Sequence, residues 1–165
     1  MKRALALGVA LVAFACGDSS TGINVTQVLG IPPGDKEGTA LSGDFAVSIE
    51  YTSNGCKDFP ALEVPQKGIK ESVTVTVEQD AGAIVFRDVL QPLFGGIYFD
   101  NHFEVGGTEA VDRDGSKNVL RAILLEGDFQ NPDEFTGKAR ARMVGRIDAK
   151  DVDCSFTFTV SGIRS

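Results

Sequence analysis

The dominant pattern in residues 42–165 is an alternation of apolar and polar side chains with a period of two. The clearest examples are residues 45–51, 73–77 and 152–160, in which every second residue is apolar. Successive side chains of a β-strand point to opposite faces, so this alternation is typical of strands with one buried and one solvated face. Shorter or less regular apolar segments predict further strands at 83–89, 95–105, 119–127 and 135–147.

Turn-forming residues separate these segments. The separators are Asp80-Ala81-Gly82, Asp112-Arg113-Asp114-Gly115, Asn131-Pro132-Asp133 and residues 148–151. Connectors this short place neighbouring strands antiparallel. No segment keeps a 3.6-residue period for three turns. The sequence therefore predicts one all-β domain over residues 42–165, an antiparallel up-and-down meander of seven or eight strands that forms a small barrel or a sandwich.

The first residues have the layout of an export signal. Met1-Lys2-Arg3 is positively charged, residues 4–14 are an unbroken apolar run, and Ala15 precedes Cys16. The run has about 11 residues, whereas a membrane-spanning helix needs roughly 17–25. We therefore expect residues 1–15 to be a signal peptide that takes no part in the fold.

The end of this signal, Ala13-Phe14-Ala15-Cys16, resembles the bacterial lipobox. The resemblance implies that Cys16 carries a diacylglycerol and becomes the first residue of a lipoprotein anchored in the cell envelope. Gly17, rather than Asp, follows the cysteine, which by the same resemblance favours the outer membrane. The alternative is an ordinary secretory signal that is cut after Ala15 and leaves a protein without an anchor.

Residues 16–41 differ in composition from the rest of the chain. They are rich in Gly, Ser, Thr and Asp and contain Pro32-Pro33-Gly34. Such segments are typical of flexible linkers. We therefore expect the lipidated cysteine to be followed by a flexible tether, with the domain beginning at residue 42.

The cysteine count supports the same division. If Cys16 is lipidated, Cys56 and Cys154 remain, and a leftover pair in an oxidising compartment predicts a disulfide. The bridge would close a loop of about 99 residues and stabilise the fold by about 4–5 kcal/mol; two free thiols are the alternative. Cys56 follows the first strand and Cys154 lies near the start of the last, so the bridge favours a closed barrel, in which these strands are antiparallel neighbours.

The domain also resembles the small lipocalin-like β domains of many bacterial lipoproteins. The resemblance covers residues 42–165 and depends on Val77-Glu78-Gln79-Asp80-Ala81-Gly82, Phe135-Thr136-Gly137 and Ser161-Gly162-Ile163-Arg164. Lipocalins carry Gly-x-Trp on the first strand, and Gly43-Asp44-Phe45 occupies the comparable place in this chain, which has no Trp. The resemblance implies a barrel fold.

Charge and residue types exclude several functions. The signal peptide contains Lys2 and Arg3 and no acidic residue. After its cleavage the chain has 14 basic and 23 acidic residues, which gives a net charge of −9. A chain this acidic without a basic run is a poor nucleic-acid binder. The only histidine is His102, and no Gly-x-Ser-x-Gly element is present. We therefore expect no catalytic residues, no metal site and no cofactor.

One row of basic residues is the remaining candidate for binding. Lys138, Arg140, Arg142 and Arg146 share one face of a predicted strand, and small or apolar residues occupy the other. Three interpretations of this row are open. It is a solvated outer face whose basic residues pair with acids on neighbouring strands, a stripe that binds a ligand or partner, or the lining of a polar barrel interior. We therefore expect a non-enzymatic envelope module that binds a small molecule or an envelope partner. The alternatives are a structural component with a filled core and an enzyme whose site is not recognisable.

Overall fold

The computed structural model describes residues 23–113, 116–147 and 149–165. The strands are β1 (Gly43–Asn54), β2 (Lys70–Asp80), β3 (Ala83–Val89), β4 (Gln91–Ile97), β5 (His102–Arg113), β6 (Ser116–Asn131), β7 (Glu134–Ile147) and β8 (Lys150–Arg164). Two short 3₁₀ helices lie at Gln27–Leu29 and Pro60–Leu62. None of the helices in the described ranges is long and apolar enough to cross a membrane.

The eight strands form one closed antiparallel sheet. Each strand pairs with its neighbours along the chain, and β1 also pairs with β8 from Phe45–Arg164 to Asn54–Phe156. This confirms the predicted up-and-down meander and the barrel, and it excludes the sandwich.

One predicted strand is wrong. Residues 95–105 are the end of β4, a turn and the start of β5, and Asn101 adopts a left-handed conformation with φ of 70°. The Asn101 amide donates to the Tyr98 carbonyl, which closes the turn. Phe99 is 82% exposed in this turn, because its ring points away from the barrel. Aromatic residues on either side concealed the turn-forming Asp100-Asn101 pair.

The barrel interior is filled with side chains. At the end where β1 begins, five phenylalanine rings pack against one another with centroid distances of 4.9–6.4 Å: Phe45, Phe86, Phe103, Phe129 and Phe135. These rings are almost completely buried and belong to one continuous apolar core. Apolar burial of this kind supplies most of the free energy that favours folding.

The last residue of β8 seals this end. The Arg164 guanidinium lies 4.9 Å from the centre of the Phe45 ring. Its nitrogens donate to the carbonyl oxygens of Ser42, Ala40 and Pro132 and to the Asp133 carboxylate, at 2.6–3.1 Å. One side chain thus joins the chain segment before β1, the β6–β7 turn and the C-terminal strand.

The opposite end is covered by residues 55–69, here called the cap loop. Leu62 of the cap loop is buried in the barrel core, and Asn54 donates to the Val64 carbonyl at 2.9 Å. The Cys56–Cys154 disulfide, with Cα atoms 5.1 Å apart, ties the loop to β8. The predicted disulfide is confirmed.

Residues 23–41, here called the strap, pack against the outside of the barrel. Their path runs from β7 to β2 over the intervening strands. The Gly34 amide donates to the Gly82 carbonyl at 2.8 Å and the Lys36 amide to the Ile97 carbonyl at 3.2 Å. A Cβ atom on Gly106 would lie 2.8 Å from the Val28 carbonyl, so glycine is required where the strap crosses β5.

The strap changes the predicted domain boundary. Ile23 and Val28 are buried against Ala122 on β6, so the structured domain includes residues 23–41 and these residues are not a free tether. The sequence did not predict this packing, because apolar residues in the strap follow no regular period. The contacts of the strap are formed with strands far away in the sequence. The described residues do not include the signal peptide or residues 16–22 of the predicted tether, and so they do not include Cys16.

Candidate functional site

The basic residues of β7 lie on the outer wall of the barrel. Ala139, Ala141 and Met143 between them are buried, which excludes the lining of a polar interior. Three of the four form ion pairs: Arg140 with Glu126 (3.7 Å), Arg142 with Asp153 (2.8 Å) and Arg146 with Asp151 (3.0 Å). These ion pairs agree with the interpretation of the row as a solvated outer face paired with acids. Lys138 is the residue of the row without such an ion pair, and it is therefore the candidate for binding.

Arg142 has a structural role in addition. Its guanidinium contacts both oxygens of the Asp153 carboxylate and donates to the Ile23 carbonyl at 3.3 Å. The hydrogen bond from Arg142 lowers the pKa of Asp153, and the same bond raises the pKa of Arg142. Arg142 therefore holds the beginning of the strap on β7.

Outward-pointing side chains of β1, β2 and β5–β8 line a groove in the outer wall, here called the outer groove, with a volume of about 560 Å³. The register aligns them in two rows. The first row is Ser48, Ser161, Thr136, Asp128 and His102. The second row is Lys70, Glu50, Thr159, Lys138 and Glu126. Gly127 and Gly137 face each other between the rows, and glycines permit a sharp bend of the strands there.

The charges of the outer groove are partly paired. Lys70 lies 3.2 Å from Glu50, and His102 Nδ1 lies 3.0 Å from the Asp128 carboxylate. Glu126 is contacted by Arg140 at the edge of the groove. In the described part of the chain no carboxylate lies within 4.0 Å of the Lys138 ammonium group. The groove thus offers one unpaired cation beside three carboxylates and a row of hydroxyl groups.

His102, the only histidine of the sequence, lies at the end of this groove. Its ring is stacked on Tyr98 with centroids 6.1 Å apart. Over residues 23–113, 116–147 and 149–165 the ring hydrogen-bonds Asp128 and no serine or threonine hydroxyl. A hydrolytic mechanism needs a base in contact with a nucleophile, so this arrangement serves hydrogen bonding better than nucleophilic catalysis.

The structure also reveals a partly buried polar cluster that the sequence did not predict. Arg121 points into the barrel near the cap loop, and its guanidinium donates to Gln91 Oε1 (3.0 Å), the Leu90 carbonyl (2.8 Å) and Glu109 (2.6 Å). Gln91 is 3% exposed, and its Nε2 atom has no hydrogen-bond partner among the described residues. Only Arg121 falls within a predicted strand, 119–127, where it shares a face with Val119 and Ile123; Gln91 and Glu109 lie outside the predicted strands.

Tyr51 lies at the same end of the interior. Its hydroxyl donates to Glu71 at 3.2 Å. Burial and the neighbouring negative charge of Glu71 raise the pKa of Tyr51 far above its usual value, while the positive charge of Arg121 acts in the opposite direction. One end of the interior is therefore closed by aromatic rings, and the end near the cap loop contains a hydrogen-bonded polar network beside the apolar core.

The described residues contain no group of three or more His, Cys, Asp or Glu side chains placed to hold a metal ion. Comparison with known proteins found no match: neither a family model, nor a curated protein, nor a solved structure is significantly similar to this chain.

Proposed function

We propose that this protein is a lipid-anchored, non-enzymatic binding module of the bacterial envelope, and that its binding surface is the outer groove. One observation carries the proposal. The interior is filled by side chains, apolar and aromatic ones together with the polar network near the cap loop that is satisfied within the barrel, whereas the outer wall has a groove lined by charged and hydroxyl groups. Sites for small ligands are concave and carry a few polar groups that fix the orientation of the ligand.

The anchor is supported by the lipobox resemblance and by the disulfide, since disulfides are typical of oxidising compartments outside the cytoplasm. We expect the full chain to fractionate with membranes and to incorporate labelled fatty acid at Cys16. Cys16→Ser should release the protein into the soluble fraction, and Gly17→Ala should leave it membrane-bound. A Cys16→Ser protein that still fractionates entirely with membranes would show that the anchor does not depend on acylation.

The binding role is tested by native mass spectrometry of the full chain purified from its own host in a mild detergent. We expect a small molecule to co-purify with the protein. Lys138→Ala should lose it, because this substitution removes the unpaired cation of the groove. Lys150→Ala is the matched control, since Lys150 is exposed at the β7–β8 turn and does not line the groove. Equal ligand retention in both variants would contradict the assignment of the groove.

A structural envelope component is the second candidate, and the packed aromatic end of the barrel supports it. Cores of this kind contribute stability and leave no interior space for a ligand. On this alternative the purified protein carries no ligand, and groove substitutions do not affect any envelope phenotype of a deletion strain. A phenotype that Lys138→Ala reproduces would favour the binding module.

A further inference from the structure

The position of the strap limits how far the barrel can lie from its anchor. The strap begins at Ile23, whose carbonyl accepts a hydrogen bond from Arg142 on the outer wall of β7. Cys16 and Ile23 are separated by seven residue steps in the sequence. A chain extends at most ~3.3–3.6 Å per residue, so these steps span about 25 Å at most. A barrel anchored through Cys16 therefore keeps Ile23, on the outer wall of β7, within about 25 Å of the acylated cysteine.

The outer groove lies on the same wall. Lys138 and Arg142 are four positions apart on one face of β7. A strand rises about 3.4 Å per residue, so the unpaired cation of the groove lies ~14 Å along the strand from the point where the strap begins. This distance is shorter than the reach of the linker, so the groove can meet the polar surface of the bilayer.

The charges of the groove indicate which chemical group at the membrane surface it can bind. Lys138 offers an unpaired ammonium group, and the Thr159 hydroxyl is its register partner on β8. The Glu126 and Asp128 carboxylates lie on the same face of β6, opposite Lys138 and Thr136 of β7. Arg140 contacts Oε2 of Glu126 and His102 contacts Oδ1 of Asp128, so the second oxygen of each carboxylate can face a ligand. A purely anionic group would be repelled by these carboxylates and by the acidic chain as a whole. A compact group that carries a negative and a positive charge matches both sides of the groove.

We propose that the outer groove binds the zwitterionic headgroup of a phospholipid in the anchoring bilayer. Its phosphate lies at Lys138 and Thr159, and its ammonium group lies at Glu126 and Asp128. The inference rests on the proposed function and names the ligand of the same groove. It gives the barrel two attachments to the membrane, the acylated Cys16 and the groove, and these fix which wall of the barrel faces the lipid.

Titration of the full chain in a non-ionic detergent with soluble O-phosphoethanolamine, monitored by protein NMR, tests the chemistry. We expect saturable shifts at residues 136–138 and 159–161, and Lys138→Ala should weaken binding at least tenfold. Glu126→Gln should weaken it as well, whereas Lys150→Ala should not. Inorganic phosphate and ethanolamine, each supplying one of the two charges, should bind at least tenfold more weakly than the zwitterion. Equal binding of inorganic phosphate would reduce the groove to a simple anion site and overturn the inference.

Sedimentation with vesicles tests the source of the headgroup. The Cys16→Ser chain, which lacks the anchor, should bind vesicles that contain phosphatidylethanolamine more strongly than vesicles of phosphatidylglycerol, and Lys138→Ala should abolish the difference. Binding of soluble phosphoethanolamine without binding to vesicles would identify a free metabolite and overturn the lipid assignment. If neither probe binds but the host protein carries another ligand that Lys138→Ala loses, the proposed function stands and this inference fails. If Lys138→Ala changes no ligand at all, the proposed function fails too.

Discussion

Among the charged side chains of the barrel wall in the described residues, we expect Arg164 to contribute most to stability. Substitution by alanine removes its contact with the Phe45 ring and its hydrogen bonds to three backbone carbonyls and the Asp133 carboxylate. The side chain is only 27% exposed, so water replaces these contacts incompletely. The substitution therefore opens the aromatic end of the barrel at the point where three chain segments meet.

The magnitude follows from the individual contacts. A cation over an aromatic ring contributes about 0.5–2 kcal/mol, and a hydrogen bond from a charged donor about 1.5–3 kcal/mol. The contributions are not additive, and partial exposure lets water satisfy some of the freed carbonyls. We therefore expect Arg164→Ala to lower the free energy of unfolding by about 3–4 kcal/mol, a large part of the 5–15 kcal/mol that is typical of a domain.

Urea unfolding of the oxidised protein, followed by circular dichroism, measures this loss. Arg146→Ala is the matched control, because Arg146 also pairs with one carboxylate, Asp151, but both side chains are mostly exposed. An exposed pair contributes about 0–1 kcal/mol. Arg164→Lys should recover only part of the loss, since one ammonium group cannot reach all four acceptors. If Arg164→Ala and Arg146→Ala destabilise the protein equally, the reasoning about the seal is refuted.

Three further predictions concern the cap loop, the interior and the strap. Replacement of Cys56 and Cys154 together by alanine should lower the free energy of unfolding by about 4–5 kcal/mol, because the bridge closes a loop with a sequence separation of 98 residues; thermal and urea unfolding measure it, and a loss below about 1 kcal/mol would contradict it. Tyr51 has a raised pKa in the folded protein, so above pH ~10 the unfolded chain loses a proton that the folded protein keeps, and stability should fall by about 1.4 kcal/mol per pH unit. Tyr51→Phe should remove this dependence in urea titrations between pH 9 and 11, and an unchanged slope in the variant would assign it to other groups. Gly106→Val should displace the strap and cost about 1–3 kcal/mol, with faster proteolysis within residues 23–41, whereas Gly30→Ala, which meets nothing within 4 Å, should change neither.

The period-two pattern was sufficient to predict most strands. A strand with one buried face alternates apolar and polar side chains, whichever strands it pairs with. In β8, Cys154, Phe156 and Phe158 alternate with polar residues, and the structure buries these three. The pair of cysteines added the long-range information that local periodicity lacks, since a bridge between the ends of the chain requires the first and last strands to meet. Where turn residues lay among aromatic ones, as at Asp100-Asn101, the same pattern concealed a turn.

The candidate site was only partly predictable. The sequence placed Lys138 and Arg140 on one face of a strand but left open whether that face was inside or outside the barrel. The surroundings of Lys138 are Glu126 on one neighbouring strand and Thr159 on the other, and Arg140 lies 3.7 Å from Glu126. These neighbours depend on strand register, which is a property of the assembled sheet.

By itself, the sequence predicted the all-β meander, the disulfide and the buried face of those strands in which apolar and polar residues alternate regularly, because each depends on local alternation or on residue identity. Only the tertiary structure decided that the strap belongs to the barrel, that Arg164 closes one end, and that the outer groove exists. Glycines and prolines in the strap carry no periodic signal, and its contacts with Gly82 and Gly106 form only after distant strands have been brought side by side. Packing between segments far apart in the chain is fixed by shape and register, and neither can be read from a single stretch of residues.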